Sequence, residues 1–511
     1  MNNNFAVSMD TDNAQKSNNG YTKYDTAAAL TLFPIAFAFV HFSGAADYPL
    51  GRLIFAAVLF FLSLFYFRKN GIKPRANPFA FGWGITMLLL NVGLIFTSNE
   101  EVQFVISAIT LFGYLYFVFA FAGNSSEKHP SDLFFLEMVK AVLIMPFGSI
   151  ARYFEAISNT KNGRKIGKTL ILIIAGLAIA FIPAIIVFAL LSYDESFKEL
   201  VKKLFDLGHF DLFSLVSDLI LAFPVAVLIF GSLYSCRKHS FGDILNAEKC
   251  RKTANAVRFA PIAMVCSAVF PFILIYSVFF ISQIDYYLSA FSGILPEGLT
   301  YADYAKNGFF QLCAVSLVNA VIILCVSVFC RRKEEKAHLI LRIVNIIFSV
   351  LTLILIATAI SKMVLYIGTY GLTVKRVLSS AFMIFLSIVF IAIIIKQFLK
   401  KTNAIIITVI SALLICATLA FSDVNGMIAS YNTDRYLEGS LENFEPESLL
   451  ELGESGIIYL DRIAEASNDY KVRALAEYFL NMEAESREKN TSVFSMTIPR
   501  LRAREVFKKY K

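Results

Sequence analysis

The sequence predicts an all-α fold: a polytopic transmembrane helical bundle of about eleven spans, entering from the cytoplasm and ending outside, with a small C-terminal α-helical extracytoplasmic domain. Three observations predict it. Long apolar runs fill the chain from about residue 26 to about residue 421. Of 511 residues, 57% are hydrophobic and 17% charged, and the mean hydropathy of +0.63 lies above that of soluble globular chains. The basic residues between the runs gather in alternate loops. The domain boundaries that follow are 1–24 for a disordered cytoplasmic N-terminus, 25–421 for the membrane bundle and 422–511 for the external tail.

The first residues, MNNNFAVSMDTDNAQKSNNG, are Asn-rich and polar, with no apolar core to order them. They lack the basic-then-apolar-then-small order of a cleavable signal, so the first run reads as an anchor that stays. A hydrocarbon core of ~30 Å needs about 20 helical residues, at ~1.5 Å rise each. The runs that satisfy this are 26–43, 51–67, 79–97, 102–122, 169–192, 210–235, 257–283, 308–330, 339–361, 378–399 and 403–421. Many are rich in Ile, Val and Phe, yet in lipid only a helix satisfies its own backbone within one segment. Their continuity excludes an alternating barrel pattern.

Basic clusters follow the second run (Arg68, Lys69, Lys73, Arg75), the fourth (Lys161, Arg164, Lys165, Lys168) and the sixth (Arg237, Lys238, Lys249, Arg251, Lys252). They return after the eighth (Arg331, Arg332, Lys333, Lys336) and the tenth (Lys396, Lys400, Lys401). About 27 Lys and Arg fall on one side and about 8 in the opposite loops, which places the N-terminus inside. Eleven crossings then put the C-terminus outside the cell membrane. The net charge of +8 is spread over many loops, so it speaks for topology and anionic lipid and against nucleic acid.

Two stretches read as interfacial. In 194–207, Phe197, Leu200, Val201, Leu204 and Phe205 share one helical face and Lys198, Glu199, Lys202, Lys203 and Asp206 the other. Residues 131–158 read as a broken surface helix, with Ser131 as N-cap and Pro146 interrupting the pattern. A crossing here would invert every later loop. Beyond residue 422 charges become dense and Leu and Ile recur at helical spacing, which predicts two or three amphipathic helices. A basic end (Arg500, Arg502, Arg504, Lys508, Lys509) follows Pro499. A unit of this size is marginal alone and is expected to lean on the bundle.

Two loop motifs stand out: Tyr301-Ala302-x-Tyr304-Ala305-Lys306-x-Gly308-Phe309-Phe310, and Ser361-Lys362-Met363-x-Leu365-Tyr366 running on to Tyr370-Gly371-Leu372-Thr373-x-x-Arg376. With Asp423-x-Asn425, Tyr431-Asn432 and the acidic-leucine helices behind them, they resemble a bacterial membrane family known as domain of unknown function 4153, with 4173 as its relative. The resemblance covers about residues 210–460. It implies a polytopic protein with these loops outside, and it brings no activity, cofactor or catalytic residue.

Physically, Tyr301, Tyr304, Tyr366 and Tyr370 suit a wet interface. Gly371 permits a left-handed turn, and Thr373 is placed to cap the next helix. Lys362 and Arg376 would give the loop a positive rim. Read functionally, this is an outward pocket for a small anionic or sugar-like ligand; read structurally, it is an aromatic belt with snorkelling cations. Inside the spans, Asp218 is the clear carboxylate, ~10–12 Å from the end of its helix. It is a candidate for cation binding or proton relay, with Asp211, Ser214 and Ser217 as extensions, or else a hydrogen-bonded helix glue. Asn91, Asn319 and Asn345 read as interhelical partners. Pro183, Pro224 and Pro271 interrupt three successive spans.

No Walker loop, dinucleotide fingerprint, HExxH or nucleophile elbow is present. The five histidines are scattered, and the seven cysteines show no metal-ligand spacing, so no metal or cofactor is expected. Asp285, Glu297 and Asp303 form the nearest thing to an acidic cluster, and their spacing matches no mechanism. The expected function is therefore non-enzymatic envelope sensing, signalling or support through the outer loops and tail, with the lipid bilayer and an envelope protein as partners. The alternatives are a secondary transporter using Asp218 and the kinked spans and, more weakly, a membrane-embedded transferase.

Overall fold

The computed structural model describes residues 21–42, 48–72, 77–127, 129–158, 206–207, 210–241, 258–282, 301–331, 335–399, 401–441, 444–487 and 495–510, with single positions at 187, 191, 194, 248 and 256. Among them the fold is helical, apart from a two-residue antiparallel pair of β1 (Asp206–Leu207) with β2 (Phe210–Asp211). The expected span 169–192 with Pro183, nearly all of the expected interfacial helix 194–207, and the acidic positions Asp285 and Glu297 lie outside the described residues.

The helices are α1 (Lys23–Phe42), α2 (Pro49–Lys69), α3 (Pro78–Gly93), α4 (Glu100–Phe121), α5 (Phe134–Phe147, with a π turn over Lys140–Ile144), α6 (Ile150–Ser158) and α7 (Leu212–Lys238). Four more follow: α8 (Ile262–Ser282), α9 (Tyr301–Phe329), α10 (Glu335–Tyr370) and α11 (Val374–Phe398). Then come α12 (Ala404–Phe421), α13 (Val424–Leu437), α14 (Glu447–Leu450), α15 (Glu454–Ala466), α16 (Tyr470–Arg487) and α17 (Ile498–Phe507). Nine helices among the described residues are long and apolar enough to cross a membrane; α3 is apolar but shorter, at 16 residues. The chain is thus an integral membrane protein of many helices.

Local chemistry sets the helix starts. Thr22 and Asp25 form a reciprocal cap on α1, with the Thr22 amide donating to Asp25 Oδ2 at 2.7 Å and the Asp25 amide to Thr22 Oγ1 at 3.2 Å. Asn77, Asn99, Thr373, Asn403, Asp423 and Thr497 cap α3, α4, α11, α12, α13 and α17 with their side chains. Pro34, Pro224 and Pro271 lie inside α1, α7 and α8.

Two buried cores divide the molecule. The first unites α1–α7 and α12 with the C-terminal helices, through side chains such as Phe67, Phe117, Phe230, Ala420, Ile428, Ile457 and Leu460. The second joins α8–α11 around Phe309, Phe348, Leu355, Met383 and Phe390. The apolar span in α7 is 61% buried and that in α8 only 17%. Most of α8 therefore offers its side chains outward, as a lipid-facing helix does.

Hydrogen bonds between helix ends sort into two groups. At one end of the bundle, Arg237 on α7 reaches Asp25 of α1 at 2.7 Å and Tyr66 of α2 at 3.0 Å. Asn124 donates to the Cys236 carbonyl, Asn403 to the Pro130 carbonyl, and Lys396 pairs with Asp132 at that same end. At the other end, which we call the tail face, the α3–α4 and α10–α11 turns meet the C-terminal helices: the Ile498 amide donates to the Ile95 carbonyl at 2.8 Å.

The segment 131–158 is a broken helix, as expected, and its two halves differ. Helices α5 and α6 meet at 44°. In α5, Met145 is buried while Phe135, Leu143 and Phe147 are exposed and equally apolar; in α6, Tyr153 and Phe154 are buried opposite exposed Arg152 and Glu155, an amphipathic helix. Glu137 accepts from the Ser126 amide and Tyr116, and Glu155 accepts from Tyr21; both ends of the segment therefore return to the end opposite the tail. Between them Gly231 of α7 leaves room for the Pro146 carbonyl, and Ser235 donates to the Met145 carbonyl. Ser131 is not the cap: α5 begins after Leu133, whose amide donates to Ser131 Oγ at 3.3 Å.

Candidate functional site

The second loop motif is built as a tight junction. The last turn of α10 ends at Gly371 with φ of 74°, a left-handed conformation that suits glycine. A Cβ at that position would collide with the side chain of Asn432. Thr373 then caps α11, its Oγ1 accepting from the Arg376 amide at 3.4 Å. Arg376 folds back over this turn, donating to the carbonyls of Tyr370 and Gly371, and its guanidinium stacks 3.9 Å from the Tyr366 ring centre. Tyr370 meets Tyr366 edge-on at 5.2 Å.

Helix α13 clasps this loop from the other side. Asn432 takes the Leu372 amide on Oδ1 at 2.7 Å and returns its Nδ2 to the Leu372 carbonyl at 2.9 Å, as a neighbouring strand would. One turn on, Arg435 donates to the carbonyls of Ile367 at 3.2 Å and Gly368 at 2.6 Å, and to Ser440 of its own segment. A parallel arrangement ties in the α3–α4 turn. Buried Asn99 caps α4 and donates to Asn425 Oδ1 at 2.7 Å, while Asn425 donates to the Leu452 carbonyl at 3.0 Å. Ser455 bridges Ser98 and the Asp423 carboxylate.

Between these two stitched turns lies a cleft of about 1180 Å³. Its floor is the first turns of α4 and α11, with Glu100, Glu101, Thr373 and Lys375; its roof comes from α13, the turn into α15, and α17, with Asn432, Glu451, Glu454, Arg500 and Arg504. Glu454 accepts two bonds from Arg500, at 2.9 and 2.8 Å, which fixes α17 against α15. Burial raises the Asp423 carboxyl above its ordinary range, against the pull of the Gly426 amide and Ser455 hydroxyl. Acids and bases line the cleft together, and of the second motif Leu372 and Thr373 reach its wall while Tyr366, Tyr370 and Arg376 do not.

The structure brings together Tyr366, Tyr370, Gly371, Thr373 and Arg376, but as a junction. Arg376 gives its Nη1 to two backbone carbonyls, and Lys362 is buried in α10. Tyr301 and Tyr304 open α9, and their side chains, like those of Asp303, Asp211 and Ser214, lie outside the described residues. Asp218 stands apart on α7. Its carboxylate meets His41 Nδ1 of α1 at 2.8 Å, one residue inside the start of the apolar span at Ser217.

Asn319 does bridge helices, accepting from Tyr276 and donating to Thr352 at 2.9 Å. Asn91 instead turns back to the Met87 carbonyl of its own helix. Sequence reasoning missed Arg435, Asn99 and the Glu454–Arg500 pair. Asn432, three residues before Arg435, was the available signal.

The family model for a domain of unknown function (DUF4153) matches residues 84–463, more than half of the 511-residue chain. The match runs from α3 to α15 and contains both stitched turns. No curated protein and no solved structure matches the chain.

Proposed function

The chain belongs to the DUF4153 family, and from that premise we propose a bacterial inner-membrane protein that senses a polar solute outside the cell in its tail-face cleft. In this reading the chain crosses eleven times, the N-terminus is cytoplasmic, and the C-terminal helices are extracytoplasmic. The charge count supports the orientation, and helix ends that the charges assign to one side are those joined by hydrogen bonds. Segment α5–α6 enters and leaves on the cytoplasmic side.

The observation that carries the proposal is the cleft of about 1180 Å³ roofed by the tail and floored by two outer turns. A solute bound there touches α4, α11, α13, α15 and α17 at once, so its binding is coupled to how the tail sits on the bundle. Side chains of both signs favour a charged or zwitterionic solute over a plain sugar, for which the Tyr366 and Tyr370 rings are not in the wall. Thermal unfolding of the purified protein with inorganic phosphate, a hexose phosphate or dialanine tests this. A ligand that stabilises the native protein but not Arg504→Glu supports it. Indifference of the native protein to all three contradicts it.

Secondary transport is the second reading, favoured by the His41–Asp218 pair between two proline-interrupted helices, α1 and α7. It predicts that Asp218→Asn abolishes proton-coupled uptake at undiminished expression; unchanged uptake removes it.

A further inference from the structure

Six polar side chains of α8, α9 and α10 are each more than nine-tenths buried: Tyr276, Ser316, Asn319, Asn345, Ser349 and Thr352. Three of them form a hydrogen-bond chain. Tyr276 donates to Asn319, Asn319 Nδ2 to Thr352 Oγ1 at 2.9 Å, and Thr352 to the Phe348 carbonyl at 2.6 Å. Ser316 turns back on the Leu312 carbonyl. The chain then stops. One and two turns back along α10, Ser349 Oγ and Asn345 Oδ1 are sealed from the surface and have no protein partner. Hydroxyls around them, at Thr352, Thr358 and Ser316, return to the carbonyl four residues back; Ser349 does not. Two bare polar groups in adjacent turns of one helix are an arrangement that native cores fill with a bound species.

We propose that this seam holds a small electron-poor ligand, a water molecule or a dehydrated monovalent cation, between Asn345 and Ser349. Asn345 Oδ1 can only accept, so the occupant must donate a hydrogen bond or carry positive charge. The Asn345 and Ser349 oxygens are both neutral, which suits water or a singly charged ion and not a divalent cation, whose sites carry carboxylates. Ser349 lies 14 residues into α10, about 21 Å along its axis, well inside the apolar span. The site is independent of the tail-face cleft: it gives the second core its own polar interior.

The test is thermal unfolding of the full-length protein in nanodiscs, native against Ser349→Ala, in sodium, potassium and choline buffers. With an occupant in place, Ser349→Ala removes one of its ligands and lowers Tm by at least about 2 °C. If native Tm also falls in choline while the variant is indifferent, the occupant is the cation; if neither responds to the salt, it is water. An unchanged or higher Tm for Ser349→Ala overturns the proposal, because deleting the polar group of a dry site relieves its burial. The double variant with Asn345→Leu gives the same sign with a larger amplitude.

Discussion

The two buried cores hold together by different chemistry. The first is pinned at both ends by charges: Asp25 with Arg237 and Tyr66 at one end, Glu454 with Arg500 at the other. The second has its polar groups in the middle, and its hydrogen bonds are between neutral side chains. The difference follows from solvent. Helix ends near water tolerate ions that meet fixed partners, whereas the centre of a bilayer admits polar groups only when neutral or paired. The first core also continues without a break into the C-terminal helices, so the tail is part of the packing that holds α1–α7 together.

The largest effect should come from breaking the charged lock. Asp25 is fully buried and the Arg237 side chain is 10% exposed, so Asp25→Ala leaves a cation without its carboxylate. A loss of about 3–5 kcal/mol is expected, seen as a collapse of Tm and yield. Asp25→Leu combined with Arg237→Met should recover most of it. Next, Gly371→Ala forces a Cβ into a left-handed turn against Asn432, for about 1–2 kcal/mol. Limited proteolysis should then cut the C-terminal helices sooner, while the second core stays protected. By the same readout, Arg435→Ala removes its bonds to the Ile367 and Gly368 carbonyls and should cost about 1 kcal/mol.

In the second core Tyr276→Phe removes one interhelical bond to Asn319. It should cost only about 0.6 kcal/mol, the size typical of such bonds in bilayers. A cost near that of Asp25→Ala would erase the contrast. The smallest effect is that of pH. Burial raises the Asp423 carboxyl in the folded protein, so above the ordinary value of 3.8 the folded state binds the proton more tightly than the unfolded one. This residue's contribution to stability therefore grows as pH falls toward that value and is lost as pH rises through the raised one. Asp423→Asn should flatten this part of the pH dependence of Tm.

Much of the fold was legible because its causes are local. Apolar length gives the spans, Gly371 the turn and Thr373 the cap. The candidate site was legible only as a neighbourhood. Arg376 reads in sequence as a free cation at an interface, yet two carbonyls within six residues and the Tyr366 face take its charge inward. Asn432 and Arg435 act on backbone some 60 and 68 residues away, a partnership that no periodicity encodes. His41 beside Asp218 is separated by 177 residues and joins the ends of two helices that pattern alone leaves unpaired. Segment 131–158 was legible as a broken helix, but Glu137, which reads as a water-facing charge, is buried and accepts from the Ser126 amide.

The most direct measurement of the whole account is a pair of topology reporters in intact bacteria, each fused to the full-length chain. Alkaline phosphatase at the C-terminus should be active and at the N-terminus silent, because the tail and the turns it clasps lie outside. An active N-terminal fusion with a silent C-terminal one would contradict the account, moving the cleft and everything that lines it into the cytoplasm.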